Sequence, residues 1–451
     1  MRSLYGWERL RGLPPYNHSM SSSGWTFRSL RAALAEGAVR PGELAEQALG
    51  RSNGNASRNT YLWQDAAWTM GEAARAEAMP RGEGGLFGDG RATLWGLPIS
   101  VKDCFDLAGA PTSCGVRFYQ DGKAVRDSWL VEKLRAAGAV ITGKTHLHPL
   151  AYGITGENPD FGDCVQPGNA GALTGGSSSG AAASVLEGSA VAGIGTDTGG
   201  SVRAPAALCG LAGYRATMGR GNWRGGCHLA ESFDTMGWLF RDLEDAPLLA
   251  EVFIPEGARR RRKTFARFAI VDRPFLHDCE PGIVDSLEAT AEELRALGLR
   301  GETFDASSWE EAFAIYAPIQ AWEAARIHAG RFAHFPAAIR ERLEGGAQIT
   351  ESAIAALRLQ QAEFVARIDS LLSEHELLLL PAAPVARLAA GADHRETRPR
   401  ILRYTTPFSL AGIPVVTIPC SAGGMQMAAA RGADEALVEI AARLGAQRKA
   451  A

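Results

Sequence analysis

The sequence predicts an α/β fold, built as one large domain around a sheet. Three observations carry that reading. Amphipathic helical stretches alternate with short apolar runs of strand length, as in "SWLVEKLRAAGAVITGKTHL" (128–147), which reads as helix, glycine turn and strand. No internal repeat and no linker of low complexity divides the chain. The chain has 451 residues, 46% of them hydrophobic and 22% charged, which is ordinary globular usage and enough to bury a large core.

Each element follows in chain order. Residues 1–24 lack the apolar core of a signal peptide and read as a loose extension, with Met20 a second candidate start. The rest, 25–451, reads as the single domain. Residues 26–52 carry apolar side chains at helical spacing and are broken near Gly37 and Pro41, giving two helices. "AAWTMGEAARAEAM" (66–79) is a third. "LWGLPISVKDCF" (94–105) reads as a buried strand with Lys102 near its end. "AAASVLEGSAVAGIG" (181–195) is a helix of small residues running into a strand. "RRRRK" (259–263) is a solvated loop ahead of the strand "FARFAIVD" (265–272). Residues 280–375 read as mostly helical. "ELLLLPAAP" (376–384) is a strand closed by Pro381, "TTPFSLAGIPVVTIPC" (405–420) is loop then strand, and "DEALVEIAARLGAQ" (434–447) is a terminal helix.

Several function classes are set aside. A net charge of −3 gives no electrostatic footprint for nucleic acid. No apolar run reaches the ~18 residues of a spanning helix, so no membrane role is expected. The seven cysteines are odd in number and form no Cys-x-x-Cys, which reads as free thiols in a reducing, cytoplasmic compartment. "HLH" at His146–His148 lacks a third ligand nearby, so neither metal nor cofactor is expected.

Three stretches carry chemistry. The first is "GLPISVKDCF" with Lys102. The second is "TGGSSSG" with Ser177, Ser178 and Ser179. The third is "GTDTGGSVRAPAALCG" (195–210) with Ser201. A serine hydroxyl needs a base to become a nucleophile, and no histidine is spaced to serve. Lys102 has the apolar neighbours Ile99, Val101 and Phe105, where desolvation would leave it neutral and basic. A Thr-Gly-Gly-Ser turn can aim consecutive N–H groups at one oxygen, as an oxyanion requires. On the residues alone, Lys102 reads first as an exposed strand-end lysine and "GGSSSG" as a flexible turn. A phosphate cradle is also open, although the Gly-Lys-Ser/Thr ending of a P-loop is missing. Asp197 and Arg203 read as braces of the loop rather than reacting groups.

In this order the three stretches resemble the amidase signature family. "GLPISVKD", "GKTHLH", "TGENPDFG", "SFDTMGW" and "PFSLAGIPVVTIP" extend the resemblance from about Trp25 to the end. It departs from the family pattern at His146, at Gln166–Pro167 and around Ala172–Leu173. The resemblance implies a large mixed central sheet flanked by helices on both faces. It also implies a Ser–cis-Ser–Lys triad, with Lys102 as base, Ser177 as bridge and Ser201 as nucleophile. Ser178 would be a helper, and the N–H groups of Thr198, Gly199, Gly200 and Ser201 would hold the oxyanion. The implied reaction is hydrolysis of a small-molecule amide through an acyl-enzyme, by a chain that can form a homodimer. Motif detail places it nearest the branch of indole-3-acetamide hydrolases. Alternatives are the glutamine-hydrolysing component of a tRNA-dependent amidotransferase, a hydrolase of urea-like (biuret-type) amides, and an inactive scaffold. An aryl pocket is expected to draw one or two side chains from Trp238, Trp309, Phe313, Tyr316, Trp322, Phe332 and Phe335, the rest of them being core, with the 280–375 segment beside it.

Overall fold

The computed structural model describes residues 25–54, 59–79, 93–253 and 264–450. The predicted extension at 1–24 and the basic run at 259–263 lie outside these. Fourteen strands are present among the described residues. In chain order they are β1 (Tyr61–Trp63), β2 (Pro98–Lys102), β3 (Val140–Thr145), β4 (Val165–Gln166), β5 (Asn169–Leu173), β6 (Ala192–Thr196), β7 (Ala212–Arg215), β8 (Met236–Phe240), β9 (Arg267–Val271), β10 (Arg300–Phe304), β11 (Leu377–Pro381), β12 (Leu388–Ala389), β13 (Val415–Pro419) and β14 (Gly424–Ala429).

Eleven of them form one sheet in the order β1-β3-β2-β6-β8-β7-β13-β14-β11-β9-β10, and β12-β5-β4 form a small second sheet. The large sheet is mixed. β3, β2 and β6 run parallel. The middle, from β6 through β8, β7, β13 and β14 to β11, is antiparallel. β11, β9 and β10 are parallel again. Helices cover both faces, so the central strands are buried on both sides and read as unbroken apolar runs. Every residue of β2, β6, β8 and β11 is buried.

Local chemistry explains the helices that carry the site. Ser128 caps the Trp129–Ala136 helix by accepting from Val131 N–H, and Lys133 and Arg135 sit in its last turn. The Ser179–Glu187 helix is almost entirely small residues. That lets it lie close on the sheet, where Ala181, Ala182 and Val185 pack with Val202, Ala206 and Leu239.

One expectation is corrected. The "TTPFSLAG" segment, read as loop, is the end of a helix, Thr397–Ala411, with Pro407 inside it. Proline removes one N–H from such a ladder. The segment is held instead by burial and by hydroxyls that bond back along the helix: Thr406 Oγ1 donates to Leu402 O at 2.7 Å, and Ser409 Oγ to Thr405 O at 3.2 Å. The 280–375 segment is mostly helical as expected, with Pro281–Ala296, Ala312–Ile327, Ala337–Ala347 and Glu351–His375, and strand β10 lies between the first two.

Candidate active site

β2, β3 and β6 are parallel, so their carboxyl ends share one edge of the sheet, the usual place for a ligand in an open α/β fold. β8 runs the other way, so the loop before it, with Asp234, reaches the same edge. So do the end of β7, with Arg215, and the helix that precedes β13.

Lys102 ends β2 and is fully buried, which removes the reading as an exposed strand-end lysine. Its Nζ donates to Ser177 Oγ at 2.7 Å and to Thr196 Oγ1 at 2.6 Å. Among the described residues no carboxylate pairs with it. Burial draws its pKa down to about 8, against the opposing pull of Cys104, Asp234 and Asp197. The peptide bond between Gly176 and Ser177 is cis.

Ser178 precedes the Ser179–Glu187 helix. Its N–H donates to Ser201 O at 3.3 Å, and its hydroxyl faces the backbone of Thr196 rather than a reacting atom. Ser201 is 4% exposed and lines a narrow cleft with Tyr152, Gly199, Tyr316, Arg398 and Leu402. Among the described residues no hydrogen bond joins Ser177 Oγ to Ser201 Oγ.

The loop at 197–201 wraps around the Asp197 carboxylate. Its Oδ1 accepts from Gly200 N–H at 2.9 Å, and its Oδ2 from Val202 N–H at 3.1 Å and Arg203 N–H at 3.2 Å. One oxyanion donor expected from the sequence is therefore corrected: the Gly200 N–H is already spent on Asp197. The N–H groups of Thr198, Gly199 and Ser201 carry no hydrogen bond among the described residues.

Arg203 and Arg215 both pair with Asp197 Oδ1, at 2.8 and 2.7 Å, and all three groups are fully buried. Burial alone would raise the Asp197 pKa, but the two guanidiniums outweigh it and hold the carboxyl well below its ordinary range. Glycine is required here by space. A Cβ on Gly199 would lie 2.4 Å from Tyr316 Oη, and one on Gly200, whose φ is +123°, would lie 2.7 Å from Thr405.

Sequence reasoning missed several of these partners. Thr196, Arg215, Asp234 and Thr405 were not singled out. Thr198 Oγ1 donates to Asp234 Oδ1 at 2.7 Å, and Thr405 Oγ1 to Gly199 O at 2.5 Å. A signal existed for two of them: Arg215 is a charge in the short strand "AGYR", and Asp234 lies in "SFDTMGW". His146 uses both ring nitrogens, on Ser179 Oγ and Gly162 O. Among the described residues no cluster of three His, Cys, Asp or Glu side chains could hold a metal.

The named aromatics divide between the cleft and the core. Of the seven aromatics named, only Tyr316 lines the cleft at Ser201. Trp238 and Trp309 are core residues, the latter packed against Phe304 and Phe408. Trp322 lies under the Arg326 guanidinium in a separate groove, and Phe335 packs on His328 and Tyr119. The cause is geometric. Trp309, Phe313 and Tyr316 are at helical spacing, but Trp238 sits on β8, Phe332 and Phe335 at a separate turn, and Trp322 on the far side of its helix from Phe313. Tyr152, not anticipated, lines the cleft.

Sheet and site together define an α/β amidohydrolase. The chain belongs to the Amidase family, whose model matches residues 57–438. It is 38% identical over 226 residues to an indoleacetamide hydrolase of Pseudomonas savastanoi, a match covering 50% of this chain and 47% of that one. The chain thus spans about half the length of that relative. It is 28% identical over 458 residues to the glutamyl-tRNA(Gln) amidotransferase A-type chain of a Synechococcus strain, covering 90% of this chain and 92% of that one. The crystal structure of an amidase superposes with a TM-score of 0.82 at 27% identity, covering 94% of this chain and 100% of the other. No helix among the described residues is long and apolar enough to cross a membrane.

Proposed function

We propose that the chain hydrolyses a small carboxamide, R–CO–NH2 to R–COOH and NH3, through an ester formed on Ser201. The observation that carries this reading is Lys102 Nζ, buried without a counter-ion among the described residues and 2.7 Å from Ser177 Oγ. Neutral Lys102 accepts a proton from Ser177, and Ser177 accepts one from Ser201 as Ser201 Oγ attacks the amide carbon. The Ser177–Ser201 contact closes when substrate fills the cleft, since catalytic hydrogen bonds tighten in the substrate complex. The N–H groups of Thr198, Gly199 and Ser201 receive the developing oxyanion. The proton returns through Ser177 to the departing ammonia. Water then attacks the ester, and Ser201 is released.

Two readings of the acyl group have support. Similarity to the Pseudomonas savastanoi enzyme supports an aryl acetamide such as indole-3-acetamide. Similarity to the Synechococcus amidotransferase chain supports glutamine over far more of the sequence. The test of the common reaction is Ser201→Ala. It should lose at least ~10⁴-fold in kcat on any amide the wild type cleaves, because removing a serine nucleophile elsewhere costs as much or more. Residual turnover within tenfold of wild type would refute the assignment.

A further inference from the structure

The cleft at Ser201 shares one side chain, Arg398, with a larger cavity of about 360 Å³. That cavity is also lined by Arg342 and His148. His148 is joined to the site directly, since its N–H donates to Ser177 O at 3.2 Å.

The two arginines lack the partners the rest of the molecule supplies. Arg203 and Arg215, which are fully buried, share Asp197, whereas Arg398 and Arg342 are half-buried and face the cavity. Arg398 makes no side-chain hydrogen bond or ion pair among the described residues, and its Nε is buried without a partner. Arg342 donates to Tyr152 O, and among the described residues no carboxylate lies within ion-pair reach of it. His148 Nδ1 is also buried and unpartnered, and the residue is only 8% exposed.

The acids lining the same cavity have other hydrogen-bond partners, and none forms an ion pair with Arg398 or Arg342 among the described residues, although Glu157 acts on Arg342 at longer range. Asp393 is held by Arg395, Glu157 by Thr155 Oγ1 at 2.7 Å, and Asp163 by Asn158 N–H at 2.9 Å. A buried guanidinium without a counter-charge is costly, and the cost is offset when an anion arrives with its own hydrogen-bonding oxygens.

We infer that Arg398, backed by Arg342, receives a carboxylate of the substrate, so that the preferred substrates are carboxamides carrying a second, anionic end, such as monoamides of small dicarboxylic acids. The inference rests on the reading of Ser201 as nucleophile and narrows its substrate class. Glutamine falls within the class. Indole-3-acetamide, which is neutral, falls outside it.

The test compares matched pairs: succinamate with butanamide, glutaramate with pentanamide, and adipamate with hexanamide. In the wild type the best carboxylate member should exceed its neutral partner in kcat/KM by at least tenfold, which is about 1.4 kcal/mol. Arg398→Met should lower that ratio by at least thirtyfold, chiefly through KM, and Arg398→Lys should retain more of it. If Arg398→Met does not fold, by its melting curve, Arg342→Met and the wild-type pairs carry the same test. A ratio below ten in every pair, or a ratio unmoved by both arginine variants, overturns the inference. Labelling of Ser201 by a neutral fluorophosphonate separates the two failures. Labelled enzyme without a carboxylate preference sinks this inference alone, whereas unlabelled Ser201 sinks the nucleophile reading and takes this inference with it.

Discussion

At the scale of single residues, the account turns on Lys102. A lysine is a base only when deprotonated, and burial brings its pKa to about 8. Below that value the ammonium form dominates and cannot accept the Ser177 proton. Activity should therefore climb as pH rises through about 8 and level off above it. A pH profile of kcat/KM checks the sign, and an acidic optimum would contradict it. Lys102→Met should cost roughly 10³-fold in kcat, within the range general-base catalysis supplies. Lys102, Ser177 and Ser201 could be nominated from the sequence because each sits in a short motif that resembles a family pattern; the residues alone left Lys102 open as an exposed lysine. Arg398 could not be nominated. An arginine in the polar run "HRETRPR" reads as surface, and only the fold shows it beside Ser201 with no side-chain partner among the described residues.

At the scale of elements, the glycine-rich loop is a wrapped carboxylate. Asp197 spends the Gly200 N–H and leaves the N–H groups on either side of it. Gly200→Ala should fail in two ways. Its φ of +123° is strained for alanine by about 1–3 kcal/mol, and the new Cβ meets Thr405 at 2.7 Å. The expected outcome is a soluble protein with a lowered melting temperature and amide hydrolysis reduced by more than the fraction unfolded explains. A variant with wild-type kcat would show that the loop tolerates rearrangement. The turns around 175–180 and 195–201 were readable as loops, and strand β2 as a buried strand. The Thr397–Ala411 helix was not, because Pro407 and two threonines are poor helix signals. What decides it is burial against the sheet, which a local window cannot see.

At the scale of the whole molecule, the site is a product of sheet order. Parallel β2 and β6 bring Lys102 and Thr196 together, and antiparallel β8 and β7 add Asp234 and Arg215 from later in the chain. Spacing along the sequence carries none of this, which is why those partners escaped it. Arg203 then ties the loop to distant elements, donating to Thr405 O at 2.8 Å, Ser409 Oγ at 2.7 Å and Gln426 Oε1 at 2.9 Å. Asp197→Asn would leave two buried guanidiniums short of charge. It should cost about 3–5 kcal/mol of unfolding free energy, as broken buried ion pairs do, measurable by urea denaturation. The pH sign is that of a depressed carboxyl: this stabilisation is full at neutral pH and is lost only under strongly acidic conditions. A change within about ±0.5 kcal/mol, the range of ordinary surface substitutions, would contradict the bracing role. The central claim, that this sheet edge makes Ser201 the nucleophile, is tested most directly by treating the protein with a fluorophosphonate and mapping the adduct by mass spectrometry. The account predicts one adduct, on Ser201, absent from Ser201→Ala and much slowed in Lys102→Met. An adduct on another serine, or labelling that persists in Ser201→Ala, would contradict it.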